Sequence, residues 1–285
     1  MFRCTSLPPD GFLSPEFAAA GIGKFIATPS TLIHSEPTPS ITDTQRAGAK
    51  VSMPISLVLP MFNEADSVDF TLQRAIESLD RAFSDFEIVI ADDASTDGCV
   101  DLVARWAAKD PRIKLVRLAH NQKFGGALRA GLSAGSREYL VYTDFDLPVD
   151  LASLPRLLEH FDEADVLTGI ATEVVKHVEW KHIVISRAYN LMVRTLFGLR
   201  MKDINFGFKA VRKSVWDRMS LHSVSPFVDA ELFIRAARID ARIRQIPVPF
   251  SQRKIGASHI RRLDVIAQTV LDMVRLRLHL LWSPR

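Results

Sequence analysis

Ile55-Ser-Leu-Val-Leu-Pro-Met-Phe-Asn-Glu64 decides the fold: a short, almost wholly apolar run stops at Pro60 and turns acidic at Glu64. A run of this length without polar alternation suits a strand buried on both faces. Working outward, Ala65–Leu79 spaces Val68, Leu72, Ile76 and Leu79 along one helical face. Phe86–Ala91, Ile113–Leu118, Tyr139–Thr143 and Asp165–Gly169 read as further strands, with helices expected over 99–108, 124–134 and 151–161. Strands alternating with helices of this size imply βαβ units and a mainly parallel sheet, an α/β fold. Ligands of such sheets bind outside the carboxyl ends of the strands.

Composition narrows the function classes. With 285 residues, 47% hydrophobic and 24% charged, the chain has the balance of a globular protein. It is long enough for one large α/β domain or two small ones. No apolar run reaches the roughly 18 residues of a membrane span. Cys4 and Cys99 lack the spacing of a zinc site or a disulfide framework. A net charge of +3 is too small and too interspersed for a nucleic-acid binder. That total hides an asymmetry: residues 251–285 carry seven basic and two acidic side chains, a net of +5. Residues 1–52 hold four of each sign and are neutral, so 53–250 must be −2. The first fifty residues carry six of the fifteen prolines and no sustained period, and read as a disordered tail without a signal peptide. Met53, two residues before the first strand, is an alternative start. The expected organisation is a tail over 1–52, a catalytic domain over 53–262 and a basic amphipathic helix over 263–285.

The acidic residues gather at strand ends. The first strand runs out in Pro60-Met-Phe-Asn-Glu64, the second in Ala91-Asp-Asp-Ala-Ser-Thr-Asp-Gly98, the fourth in Thr143-Asp-Phe-Asp-Leu-Pro148. Glu64, Asp92, Asp93, Asp144 and Asp146 therefore converge on one crevice. Asp97 has a structural alternative as the N-cap of the following helix. Adjacent Asp92 and Asp93 repel unless a cation or donor-rich ligand compensates. Asp144 and Asp146, one residue apart after a strand, suit a divalent cation bridging to phosphate oxygens.

These stretches, with Asn121 to Gly126, resemble the inverting family 2 glycosyltransferases of the GT-A fold. Ser186-Arg-Ala-Tyr-Asn190, Asp203-Ile-Asn-Phe-Gly-Phe-Lys-Ala210, Phe227-Val-Asp-Ala-Glu231 and Arg253-Lys-Ile-Gly-Ala-Ser-His259 extend the likeness to the polyprenyl-phosphate branch, typified by dolichyl-phosphate mannose synthase. The likeness covers about 55 to 265. It implies a three-layer α/β/α sandwich with a Rossmann-like nucleotide-binding half, and a peripheral enzyme on the cytoplasmic face of a membrane. It further implies a GDP-mannose or UDP-glucose donor, a polyprenyl-phosphate acceptor, and Mg²⁺ or Mn²⁺. Pro60, Phe62 and Glu64 would hold base and ribose, and Ala91 and Asp93 would contact the base. Thr143, Asp144, Phe145 and Asp146 would line the diphosphate, with Asp144 and Asp146 at the metal. Arg253 and His259 would close over the diphosphate. Two positions depart from the family's pattern: Pro148 stands where a metal-binding Gln is usual, and His259 where Lys or Arg is usual.

A lipid phosphate is already anionic near neutral pH and attacks without a strong base. A sugar hydroxyl needs a carboxylate base, for which Asp203 and Asp229 are the candidates. Their structural alternatives are a turn residue and a helix N-cap. Lys176, Arg187 and Arg194 are candidates to receive the acceptor phosphate. Two stretches, Ile183–Leu199 and Leu263–Trp282, are amphipathic, with arginines beside apolar residues. Each reads either as a helix packed on the sheet or as an interfacial membrane helix. The rival functions are a transferase for a saccharide acceptor, a non-catalytic nucleotide-sugar module, and a phospho-receiver, which would need only about half this length.

Overall fold

Seven strands form one sheet in the order β3-β2-β1-β4-β6-β5-β7. The computed structural model describes residues 50–171, 180–248 and 263–282. In chain order the strands are β1 Ile55–Met61, β2 Phe86–Asp92, β3 Ile113–Arg117, β4 Tyr139–Thr143, β5 Val166–Ala171, β6 Phe208–Arg212 and β7 Ile243–Val248. β1 pairs in parallel with β2 and β4, β2 with β3, and β5 with β7. Only β6 among them runs antiparallel, against β4 and β5. The helices are α1 Val68–Ala82, α2 Cys99–Lys109, α3 Lys123–Ala134, α4 Leu154–Leu158, α5 Trp180–Phe197, α6 Lys213–Trp216, α7 Val228–Arg238 and α8 Leu263–Trp282.

The period-2 alternation of the central strands sorts the core into two layers. Ile55, Leu57, Leu59 and Met61 pack with α1, α2 and the segment around α4. Val58, Val89, Leu140 and Tyr142 point to the other face, against α3, α5, α6, α7 and α8. The result is the expected α/β/α sandwich. Glu87 is a buried charge near the start of β2. Burial raises its carboxyl pKa, but Lys114 at 2.6 Å and hydrogen bonds from Ser56 and Ser136 outweigh this and hold it at about 2.

The first five expected strands are present, within about two residues at each end. The helix expected over 151–161 is instead a short α4 between two 3₁₀ turns, Leu151–Ser153 and Glu159–Asp162, with Pro155 at its start. The expected tail over 1–52 lies outside the described residues up to 49. Val51 already bridges to Phe83, with its amide donating to the Ala82 carbonyl at 2.8 Å.

Candidate active site

Three parallel strands end side by side, and their loops are tied to one another. The β1 loop enters a left-handed turn at Asn63 (φ 55°). Its amide donates to Ser95 Oγ at 2.9 Å, and its Oδ1 accepts from the Thr96 amide at 2.9 Å. Asp97 accepts from the Ala65 amide at 2.8 Å and the Cys99 amide at 3.1 Å. It thereby joins the β1 loop to the start of α2, although the capping position itself is Gly98. Desolvation works against the Asp97 carboxylate, yet these donors hold its pKa below the usual range. Phe62 stands about half exposed on this rim. Glu64 Oε2 accepts from Ser67 Oγ at 2.8 Å, which fixes the carboxylate beside the start of α1.

At the end of β2, Asp92 is fully buried, accepts from the Ser95 amide at 3.2 Å and faces Arg117 at 3.6 Å. Asp93 accepts from the Gln122 amide at 2.6 Å, just where α3 begins. Burial pushes the Asp93 carboxyl up, with Asp92 adding repulsion, while the Gln122 and Lys123 amides pull it down. Ala94 and Lys123 both take positive φ, 60° and 64°. Non-glycine residues in this region cost about 1–3 kcal/mol and cluster at functional loops.

At the end of β4, Thr143-Asp-Phe-Asp146 turns sharply: the Leu147 amide donates to the Asp144 carbonyl at 3.0 Å, and Leu147 has φ 50°. Phe145 is buried, and its carbonyl accepts from Thr71 Oγ1 of α1 at 3.0 Å. Asp144 and Asp146 remain half-buried. The turn is roofed by the start of β6. Thr143 Oγ1 donates to the Gly207 carbonyl at 2.6 Å. A Cβ on Gly207 would stand 3.1 Å from Asp144 Oδ2 and 3.2 Å from Pro148 Cγ. Pro148 is thus packing, where the resemblance leads one to expect a ligand. The residues present fit a divalent cation: two hard carboxylate donors on one turn. Among the described residues no cluster of three His, Cys, Asp or Glu forms.

Beneath this turn lies a buried charged cluster that the sequence reading did not find. Lys209 of β6 and Asp229 of α7 are 1% and 4% exposed. Lys209 Nζ donates to Asp229 Oδ2 at 2.5 Å and to the Phe206 carbonyl at 2.7 Å. Tyr142 donates its hydroxyl to the other Asp229 oxygen. Burial first, and the Asp229 charge second, raise the pKa of both Tyr142 and Tyr189. Asp229 sits in the first turn of α7 with Phe227 at the cap, so it is not the N-cap. Asp203 holds a turn at φ 37°, its carbonyl accepting from the Phe206 amide at 3.0 Å. The signal for Lys209 was a lone lysine in an apolar run, Phe206-Gly-Phe-Lys-Ala-Val211. Only the antiparallel pairing of β6 with β4 reveals what it faces.

Arg253, His259 and Lys176 lie outside the described residues. Arg187 and Arg194 are exposed on α5. A cavity of about 490 Å³ lies between α3 and the α6 region, lined by Gln122, Arg129, Ser133 and Trp216. No helix among the described residues is long and apolar enough to cross a membrane.

Comparison with known proteins bears on the family and the fold. The family model described as glycosyl transferase family 2 matches residues 56–223. The chain is 30% identical over 240 residues to an undecaprenyl-phosphate mannosyltransferase of Micrococcus luteus, covering 81% of this chain and 97% of that protein. It is 31% identical over 215 residues to glycosyltransferase AglD of Haloferax volcanii, where the match covers 73% of this chain but only 34% of that longer protein. Among solved structures, the glucosyl-3-phosphoglycerate synthase of Mycobacterium tuberculosis, with Mn²⁺, UDP and product, superposes with a TM-score of 0.58. That match covers 79% of this chain and 80% of the other at 18% identity, and shows a shared GT-A fold.

Proposed function

Because the chain belongs to glycosyl transferase family 2, we propose that it moves a hexose from GDP-mannose or UDP-glucose onto a polyprenyl phosphate, inverting the anomeric centre. The observation that carries this reading is the Asp144-Phe-Asp146 turn, held under Gly207 beside the β1 and β2 loops. The Micrococcus relative, similar along 97% of its own length, supports the acceptor by its name.

The donor's base and ribose rest on Pro60, Phe62, Glu64, Ala91 and Asp93, with the exposed Phe62 ring at the rim. Thr143 and Phe145 line the diphosphate, and Asp144 and Asp146 would hold Mg²⁺ or Mn²⁺. When bound, the cation neutralises charge that builds on the leaving diphosphate. Arg253 and His259 supply further positive charge there. The acceptor's phosphate oxygen is an anion already, and Arg187 and Arg194 face solvent where they can meet it. No carboxylate base is needed, in keeping with an Asp229 whose two oxygens are taken by Lys209 and Tyr142. The lipid acceptor brings the protein to a membrane surface.

The test is a transfer assay pairing each donor with a polyprenyl phosphate, with and without Mg²⁺ or Mn²⁺. Butanol-extractable labelled lipid is expected with one donor, only with metal, and not with Asp146→Asn. Metal-dependent turnover that leaves no label in the lipid phase with either donor would instead favour a saccharide acceptor.

A further inference from the structure

Helix α8 presents an apolar face to solvent although its opposite side is firmly docked. Met273 and Leu276 are buried in the core of the α3/α7 layer. Asp272 accepts from the Val224 and Ser225 amides at 3.0 and 2.9 Å, pinning α8 to the loop before α7. On the outer side Ile266, Val270, Val274 and Leu278 recur every fourth residue, flanked by Leu271, Leu281 and Trp282. All seven are exposed, Leu278 by 51% and Trp282 by 84%. Packed alongside, α5 adds exposed Leu191 and Met192. At about 100° per residue, Arg277 falls near one edge of the α8 arc and Arg275 near the other. Arg187 and Arg194 are exposed on α5. Asp272 is buried, and Asp264 is the one exposed acid on the two helices among the described residues.

We infer that this face is a preformed docking surface for the interfacial zone of a bilayer carrying anionic headgroups. The apolar arc enters the acyl boundary and the bordering arginines meet the phosphates. Charge decides against a second copy of the chain as occupant. Apposing two such faces would bring arginine rows together with almost no acid to oppose them, whereas an anionic surface supplies that complement. The inference deepens the lipid-acceptor reading and rests on it for its purpose.

Truncating α8 would remove Met273 and Leu276 from the core, so the test uses point variants of the full chain. Val274→Ser/Leu278→Ser and Arg275→Ser/Arg277→Ser are compared with wild type on two kinds of vesicle. These are phosphatidylcholine alone, and phosphatidylcholine mixed with phosphatidylglycerol. Wild type is expected to co-sediment with the mixed vesicles, with a blue shift in tryptophan emission. The arginine pair should bind them roughly thirtyfold more weakly, and the Val/Leu pair about tenfold or more weakly. Transfer to a short-chain, water-soluble polyprenyl phosphate should be unchanged in both. Wild-type protein that ignores both vesicles yet transfers to the soluble acceptor overturns the surface and leaves the reaction standing. Vesicle binding without any transfer overturns the reaction instead. Dimers that dissociate in Val274→Ser/Leu278→Ser would reassign the face to a second copy and overturn the lipid proposal.

Discussion

Replacing Lys209 by Met should be among the most damaging single changes outside the strand-end loops. The substitution keeps an unbranched apolar chain in β6 and removes the ammonium that sits 2.5 Å from Asp229 Oδ2 and 2.7 Å from the Phe206 carbonyl. Asp229, 4% exposed, would keep Tyr142 as hydroxyl donor and lose its counter-charge. Stranding one member of a buried ion pair costs about 3–5 kcal/mol. For a domain of this size each kcal/mol lowers Tm by about 2–4 °C, so a fall of about 10 °C is expected. Lys209→Met/Asp229→Leu removes both charges and should recover most of that loss, since apolar replacements of buried pairs are often neutral. Thermal unfolding followed by circular dichroism measures both variants. Activity should not recover with stability. Phe206 precedes the glycine whose carbonyl accepts from Thr143 and whose backbone roofs Asp144. The double variant should therefore still bind Mn²⁺ and nucleotide more weakly, by about tenfold. A single variant within about 1 kcal/mol of wild type, or a double variant no more stable than the single, would refute the pairing.

Other expectations follow from close contacts and from charge. Gly207→Ala drives a Cβ to 3.1 Å from Asp144 Oδ2, so Mn²⁺-dependent turnover should drop about tenfold with little change in Tm; unchanged metal titration would count against the roof. Gly125→Ala meets backbone, 2.2 Å from the Ser223 carbonyl and 2.9 Å from Val224 Cα, and should destabilise by about 1–3 kcal/mol in chemical denaturation. Glu87 is held at about 2 against an ordinary 4.5, so its folded carboxylate binds fewer protons than the unfolded one. Its stabilisation is complete above about pH 4.5 and is lost as pH falls towards 2. Glu87→Gln should cost at most about 3 kcal/mol at neutral pH, less for the solvent around Lys114, with the gap to wild type closing under acid.

The half of the fold that carries β1 to β4 was legible because its signals are local. Each of β1, β2 and β4 is an apolar run ending in acids, and sheet twist and parallel pairing bring such ends together without further information. The second half was less legible. β6 and β7 are short and carry Lys209, Arg244 and Gln245, which break the apolar pattern. What Lys209 faces is set by the antiparallel pairing of Tyr142 with Lys209, which turns both towards Asp229. Asp229 itself read as a cap or a base, because a sequence does not reveal that a lysine twenty residues upstream points at it. α8 was legible as amphipathic, but its sidedness was not. Met273 and Leu276 face inwards by virtue of the Asp272 contact with the 224–225 amides, and this leaves a richer apolar row outside.

The proposed nucleophile is a lipid phosphate and not a hydroxyl. The most direct measurement offers the protein, with Mn²⁺ and each nucleotide sugar, the same polyprenyl chain bearing either a terminal phosphate or a free hydroxyl. Labelled lipid should form from the phosphate alone, and its sugar–phosphate bond should have the anomeric configuration opposite to the donor's. Comparable product from the free alcohol, or retention of configuration, would contradict the account.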